Sequence, residues 1–184
     1  MKRVNVLSML LIVLFINFTT PVKAQEHAPE TNISYKVDFG PVYPIEGESN
    51  QFKGNIALDD ETHQLNNLSF NVPLNSFIGT NSGYLAWVGN AWNNPDLTFK
   101  STVIKKVNNH FEVKGNMEFR RKTAPVTLEI ISQENSNNEI ILKGNFKMNT
   151  NDYFIFSPNV NLVPTWIPFQ FTMVFDKPNL NEVS

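Results

Sequence analysis

Apolar and polar residues alternate along most of this chain. Ile33, Tyr35, Val37 and Phe39 lie two apart, as do Leu68, Phe70 and Val72. Leu97, Phe99, Ser101 and Val103 alternate with Thr98, Lys100 and Thr102. Phe111, Val113, Gly115, Met117 and Phe119 alternate with Glu112, Lys114, Asn116 and Glu118. The pattern continues through Val126, Leu128 and Ile130, through Ile140, Leu142, Gly144, Phe146 and Met148, and through Ile167, Phe169, Phe171, Met173 and Phe175. Period two repeated this often predicts half-buried antiparallel strands. Turn signals at Asp59-Asp60, Asn108-Asn109 and Asn135 to Asn138 separate the runs, so the strands join as hairpins and not as βαβ crossovers.

One stretch departs from the pattern. Between Asn81 and Asp96, the residues Tyr84, Leu85, Trp87, Val88 and Trp92 recur at spacings of one, three and four, which predicts a short helical segment ended by Asn93-Asn94-Pro95. The expected fold is therefore all-β, a single domain of about eight strands closed as a barrel or paired as a two-sheet sandwich. Gly54, Gly115 and Gly144 interrupt strand patterns. Each fits either a sharp bend or bulge, or space left open inside a cavity.

The N-terminus carries a separate signal. Lys2 and Arg3 precede an unbroken apolar run from Met9 to Ile16, and Val22-Lys23-Ala24 places small residues at −3 and −1 of a cut after Ala24. That is the layout of a secretory signal peptide. The apolar run falls well short of the ~20 residues that span a bilayer, so no integral membrane span is expected after cleavage. The expected division is residues 1–24 as signal peptide and 25–184 as the β-barrel domain. With no cysteine in the chain, a lipoprotein anchor is ruled out, and so are disulfides and thiol chemistry. The expected location is the periplasm of a Gram-negative cell, with secretion beyond it as the alternative.

Charge and chemistry narrow the function. Of 15 basic residues the signal removes three and no acids, so the formal balance moves from −2 to 12 − 17 = −5. A nucleic-acid binder working through phosphate neutralisation is not expected. His27, His63 and His110 show no metal-ligand spacing, and there is no P-loop, Rossmann glycine run or G-x-S-x-G. No catalytic site, cofactor or metal is expected. The one basic cluster, Arg120-Arg121-Lys122, fits a charged hairpin end or a clamp for an anionic head group at a barrel mouth.

Several segments, in order, resemble the YceI-like family. Asn94 to Ser101 resembles its "yP-x-itF-x-S" segment, Phe111 to Met117 its "y-x-v-x-G-x-L" strand, and Arg120 to Val126 its "rGvTkPV" signature. Phe52-Lys53-Gly54-Asn55-Ile56 is similar to "F-x-G-x-I", Ser76 to Thr80 to "S-I-x-T", and Asp152-Tyr153 falls at an acidic–aromatic pair. Arg121 replaces the signature glycine, Thr150 a usual arginine, and Ser82-Gly83 a usual Arg-Asp, which marks a divergent member.

The resemblance implies a lipocalin-like antiparallel β-barrel holding an isoprenoid or similar long-chain lipid in its bore. Strand parity then supplies the expected lining: Phe99 and Val103, Phe111, Val113, Met117 and Phe119, Leu128, Leu142 and Phe146, and Phe169, Phe171 and Met173. Tyr84, Trp87 and Trp92 are expected to close or line one mouth. The competing expectation is a structural or protein-interaction module whose core is solid.

Overall fold

A computed structural model describes residues 29–39, 43–59, 62, 64–135, 137–153 and 164–176. The expected signal segment 1–24, the cut after Ala24, and residues His27, Asp60, Glu61 and His63 lie outside them. The chain forms nine strands: β1 (Asn32–Phe39), β2 (Tyr43–Ser49), β3 (Lys53–Leu58), β4 (Leu65–Pro73), β5 (Asp96–Val107), β6 (His110–Phe119), β7 (Lys122–Glu134), β8 (Glu139–Asn149) and β9 (Trp166–Asp176). Between β4 and β5 lie a 3-10 turn, Leu74–Ser76, and a short helix α1, Gly83–Gly89. All ladders are antiparallel, in the spatial order β2-β1-β9-β8-β7-β6-β5-β4-β3.

This order forces the sheet to curl. Laid flat, nine strands would span about 38 Å at ~4.8 Å per spacing. Yet β2 and β3, at opposite ends, are joined only by Asn50, Gln51 and Phe52, a reach of at most about 15 Å at ~3.8 Å per Cα step. The all-β, lipocalin-like architecture with one short helix is therefore the fold, with the first strand paired to the last through β1 and β9. The seam differs from a fully closed barrel. β2 pairs on its outer edge not with β3 but with the strap that follows β4: the Glu48 and Ile78 amides donate to each other's carbonyls at 2.9 and 2.8 Å, and the Glu46 amide donates to the Thr80 carbonyl at 3.0 Å. The strap satisfies an edge that would otherwise present unpaired backbone groups.

Inward faces follow parity in most strands. Ile33, Tyr35 and Val37 of β1, Leu68, Phe70 and Val72 of β4, and Ile167, Phe169, Phe171 and Met173 of β9 are all buried. In β5 the parity breaks. The β5–β6 register shifts between Ser101 and Val103, so that Ser101 faces Gly115 while Val103 faces Lys114. One extra residue in a strand turns every later side chain to the other face. Val103 consequently lies outside, 44% exposed, and Ile104 packs against the core in its place.

The β6–β7 hairpin turns through Arg120 and Arg121 at φ of 54° and 58°. Two consecutive left-handed residues make the turn type that favours Asn-Gly, since a Cβ costs energy there. Arg121→Gly is therefore expected to stabilise the fold by roughly 0.5–1 kcal/mol. The exposed bond from the Arg121 guanidinium to the Asn93 carbonyl, 3.2 Å, offsets little of that. Thermal melting should show an increase of about 2–4 °C per kcal/mol for a chain of this size.

Candidate functional site

The two ends of the curled sheet are built differently. One end is shut. Leu74 of the 3-10 turn and Leu85 and Val88 of α1 are buried over it. The last turn of α1 approaches Phe119 so closely that a Cβ on Gly89 would stand 2.8 Å from its ring. Asn90 ends the helix in the left-handed region, at φ 53°, a conformation asparagine tolerates well. Tyr153 seals the same end: it is 1% exposed, packs edge-on against Phe119 at 5.6 Å, and donates its hydroxyl to the Met117 carbonyl at 3.4 Å. On the other side of the cap, the Tyr35 hydroxyl donates to the Ser82 carbonyl at 2.9 Å and ties β1 to the start of α1.

Burial raises the hydroxyl pKa of these tyrosines. Tyr35 is pushed up to about 12, chiefly by burial, with a backbone hydrogen bond from Leu85 opposing. Tyr153 is pushed higher by burial and then by the neighbouring Asp152 carboxylate. Tyr84, partly buried in α1, is also raised, first by burial and then by Tyr35. All three stay neutral near pH 7 and act there as packed rings.

Between the ends the bore is filled by aromatic rings. Phe146 stacks on Phe169 at 4.8 Å and Phe70 on Phe99 at 5.1 Å. Phe171 lies 6.0 Å from Phe70 and 6.4 Å from Phe146, and Phe52 joins Phe70 at 5.0 Å. The strand glycines make this packing possible. A Cβ on Gly115 would collide with the Phe99 ring and the Lys100 carbonyl, and one on Gly144 with the Phe171 ring. Neither glycine has a left-handed backbone. Their missing side chains are occupied by neighbouring phenylalanines, so neither marks open cavity space, while Gly115 also stands opposite Ser101, where the β5 bulge begins.

The other end is open. A cavity of about 1190 Å³ lies among the C-terminal ends of β3, β5, β7 and β9 and the adjoining hairpins. Ile56, Leu58, Leu65, Phe111, Ile140, Leu142 and Phe175 make its apolar walls. Six consecutive residues, Gly54 to Asp59, line it, so the cavity reaches around the outer edge of β3. The bulge in β5 brings Lys106 to this mouth, where Gln133, Glu134, Asp59 and Asp176 also stand.

The sequence-based lining divides accordingly. Phe111 and Leu142 line the cavity. Phe99, Val113, Met117, Phe119, Leu128, Phe146, Phe169, Phe171 and Met173 point inward but are packed into the core, each no more than 4% exposed. Val103 is outside, for the reason given above. Tyr84 packs against the core from α1, but Trp87 and Trp92 face away from the bore, 65% and 98% exposed, and it is Leu85, Val88 and Tyr153 that close that end. The Arg120–Lys122 turn sits at the closed end, remote from the cavity, so it does not clamp a head group at the open mouth. Among the described residues no group of three or more His, Cys, Asp or Glu side chains is placed to hold a metal ion, and no helix is long and apolar enough to cross a membrane.

Ile56, Leu58 and the polar rim were not singled out by alternation, and Phe175, the last of the alternating β9 run, was not among the expected lining residues. They sit at strand ends, opposite the helical excursion, and that topological position is the signal that could have found them.

A model of the YceI-like domain matches residues 27–175. The chain belongs to the YceI-like family. Solved structures agree on the fold of this YceI-like protein. BcnA of Burkholderia cenocepacia superposes with a TM-score of 0.65 at 17% identity, covering 79% of this chain and 95% of that one. A YceI protein of Campylobacter jejuni gives 0.59 at 15% identity over 78% and 91%. A polyisoprenoid-binding domain from Saccharophagus degradans, implicated in plant cell wall breakdown, gives 0.58 at 12% identity over 80% and 94%. At these identities the likeness is one of fold. No curated protein sequence matches the chain.

Proposed function

We propose that this YceI-like protein is exported and binds, without catalysing a reaction, the apolar tail of an isoprenoid-type or other long-chain lipid. The observation that carries this reading is the cavity: a space of about 1190 Å³ with apolar side chains on part of its wall and a polar rim, open at one end of a barrel whose other end is shut. Its size exceeds the range of about 300–1,000 Å³ usual for small-molecule clefts. Burying about ten methylenes there is worth roughly 8 kcal/mol before the cost of ordering the chain, so few polar contacts are needed. The polyisoprenoid-binding domain of similar fold supports the tail chemistry, and the signal layout of residues 1–24 supports export to the periplasm.

The ring-filled bore is what favours the alternative, a barrel with a filled core serving as a structural or interaction module. Native mass spectrometry of the protein purified from its own host separates the two. The expected result is a chain beginning at Gln25 with a co-purifying lipid released by organic solvent. A ligand-free mass in every preparation, with no uptake of added long-chain lipid, would favour the filled-core module, and an intact Met1 would refute export.

A further inference from the structure

The charges around the cavity narrow the class of lipid. We infer that the head group held at this mouth is uncharged or cationic, and that phosphate- and diphosphate-headed lipids are disfavoured; this rests on the tail-binding reading above. Three carboxylates, Asp59, Glu134 and Asp176, line the cavity, and Lys106 is the one cation among its described lining residues.

The other polar groups at the rim, including Asn55, Gln64, Asn109 and Gln133, are neutral amides that both donate and accept. They suit a hydroxyl, a carbonyl or an amine. Sites for phosphate are ordinarily built from arginine forks, lysine clusters or the backbone amides of a helix N-terminus. None of these is among the described lining residues. The Arg120–Arg121 pair lies at the closed end, with Arg121 bonded to the Asn93 carbonyl.

A phosphate monoester carries about −1.5 to −2 charge near neutral pH. Seated at the head of a tail in this cavity, it would face the carboxylates across a partly enclosed space, where water and salt screen less than they do at an open surface. An ammonium in the same place would be attracted by the charge of the same carboxylates, of which Asp59 already accepts from the Thr62 amide and hydroxyl. Lys106 tempers the acidity without reversing it.

The test uses the purified protein stripped of lipid and three probes with one tail: geranylgeranylamine, geranylgeraniol and geranylgeranyl phosphate, titrated calorimetrically. The amine and the alcohol are expected to bind at least about tenfold more tightly than the phosphate, a difference of about 1.4 kcal/mol. The amine's and the phosphate's deviations from the alcohol should both shrink as salt is added. The double variant Glu134→Gln with Asp176→Asn should narrow the gap between alcohol and phosphate, and Lys106→Gln should widen it; melting curves of both variants check that they fold. Phosphate binding equal to or tighter than alcohol binding in the parent protein would overturn the inference, as would affinity gaps that do not change with salt. Failure of all three probes to bind is a different result: it would refute the tail-binding reading itself, and the head-group inference with it.

Discussion

Replacing Gly115 with leucine is expected to leave the protein unfolded, or melting far below the parent, with loss of strand signal in circular dichroism at 37 °C. The glycine faces inward between β5 and β7, and the space above its Cα already holds the Phe99 ring and the Lys100 carbonyl. Adding side chain to a filled core costs about 1–3 kcal/mol through strained rotamers and backbone shifts. Here one obstacle is backbone, which cannot rotate away, so a cost of about 3 kcal/mol or more is expected against a typical stability of about 5–15 kcal/mol.

The milder variant Gly115→Ala separates the reasons for the glycine. If the ring occupies the missing side chain, Phe99→Leu should cost less in the Gly115→Ala background than alone, a coupling measurable in a double-mutant cycle. If backbone bending required glycine, the two changes would add. A Gly115→Leu protein that melts like the parent yet takes up no lipid would refute this packing account and place Gly115 at an open bore.

Raising the pH above 10 is expected to destabilise the fold steeply. Tyr35 and Tyr153 are 3% and 1% exposed, and the pKa of each is raised in the folded protein, that of Tyr35 to about 12. The sign follows from proton binding. Between the ordinary tyrosine value of 10.0 and the folded value, the unfolded chain loses the proton while the folded chain keeps it, so the unfolded state is favoured as pH rises. The stabilisation is fully present below pH 10 and is lost through pH 12. For Tyr35 alone the loss is on the order of 2 kcal/mol. Tyr153 adds to it in the same window.

Urea unfolding at pH 8, 10 and 11.5 should show a midpoint that is level at first and then falls. Tyr35→Phe should flatten part of that fall while lowering stability at pH 8 by about 1 kcal/mol, through the lost bond to the Ser82 carbonyl. A midpoint that held level to pH 11.5 would show that water reaches both hydroxyls.

Much of the architecture is legible in the residues. Alternation in β1, β4, β6, β7, β8 and β9 marks both strand and inward face, because a pleated strand sends successive side chains to opposite sides. Asn108-Asn109 turns β5 back as β6, and the spacing of Leu85 and Val88 marks the helix that caps the barrel. β2 is less legible, since its inward positions include Gly47 and Ser49 and carry little apolar signal. The helix also shows where periodicity stops being informative: Trp87 and Trp92 share its apolar spacing with Leu85 and Val88 but face away from the bore.

The site itself depended on facts that no local pattern holds. The sequence alone determines the strands, the hairpins and the cap, because these rest on neighbours two to four residues apart. Where the bore is filled and where it is open was decided by the tertiary structure. Gly144 is matched to Phe171, and Phe146 to Phe169, across strands whose register only the folded sheet sets. The bulge after Ser101 moves Val103 outside and brings Lys106 to the mouth. Parity says which residues share a face, but volume depends on which of them meet, and that is set by register, bulges and the way nine strands curl between ends joined by three residues.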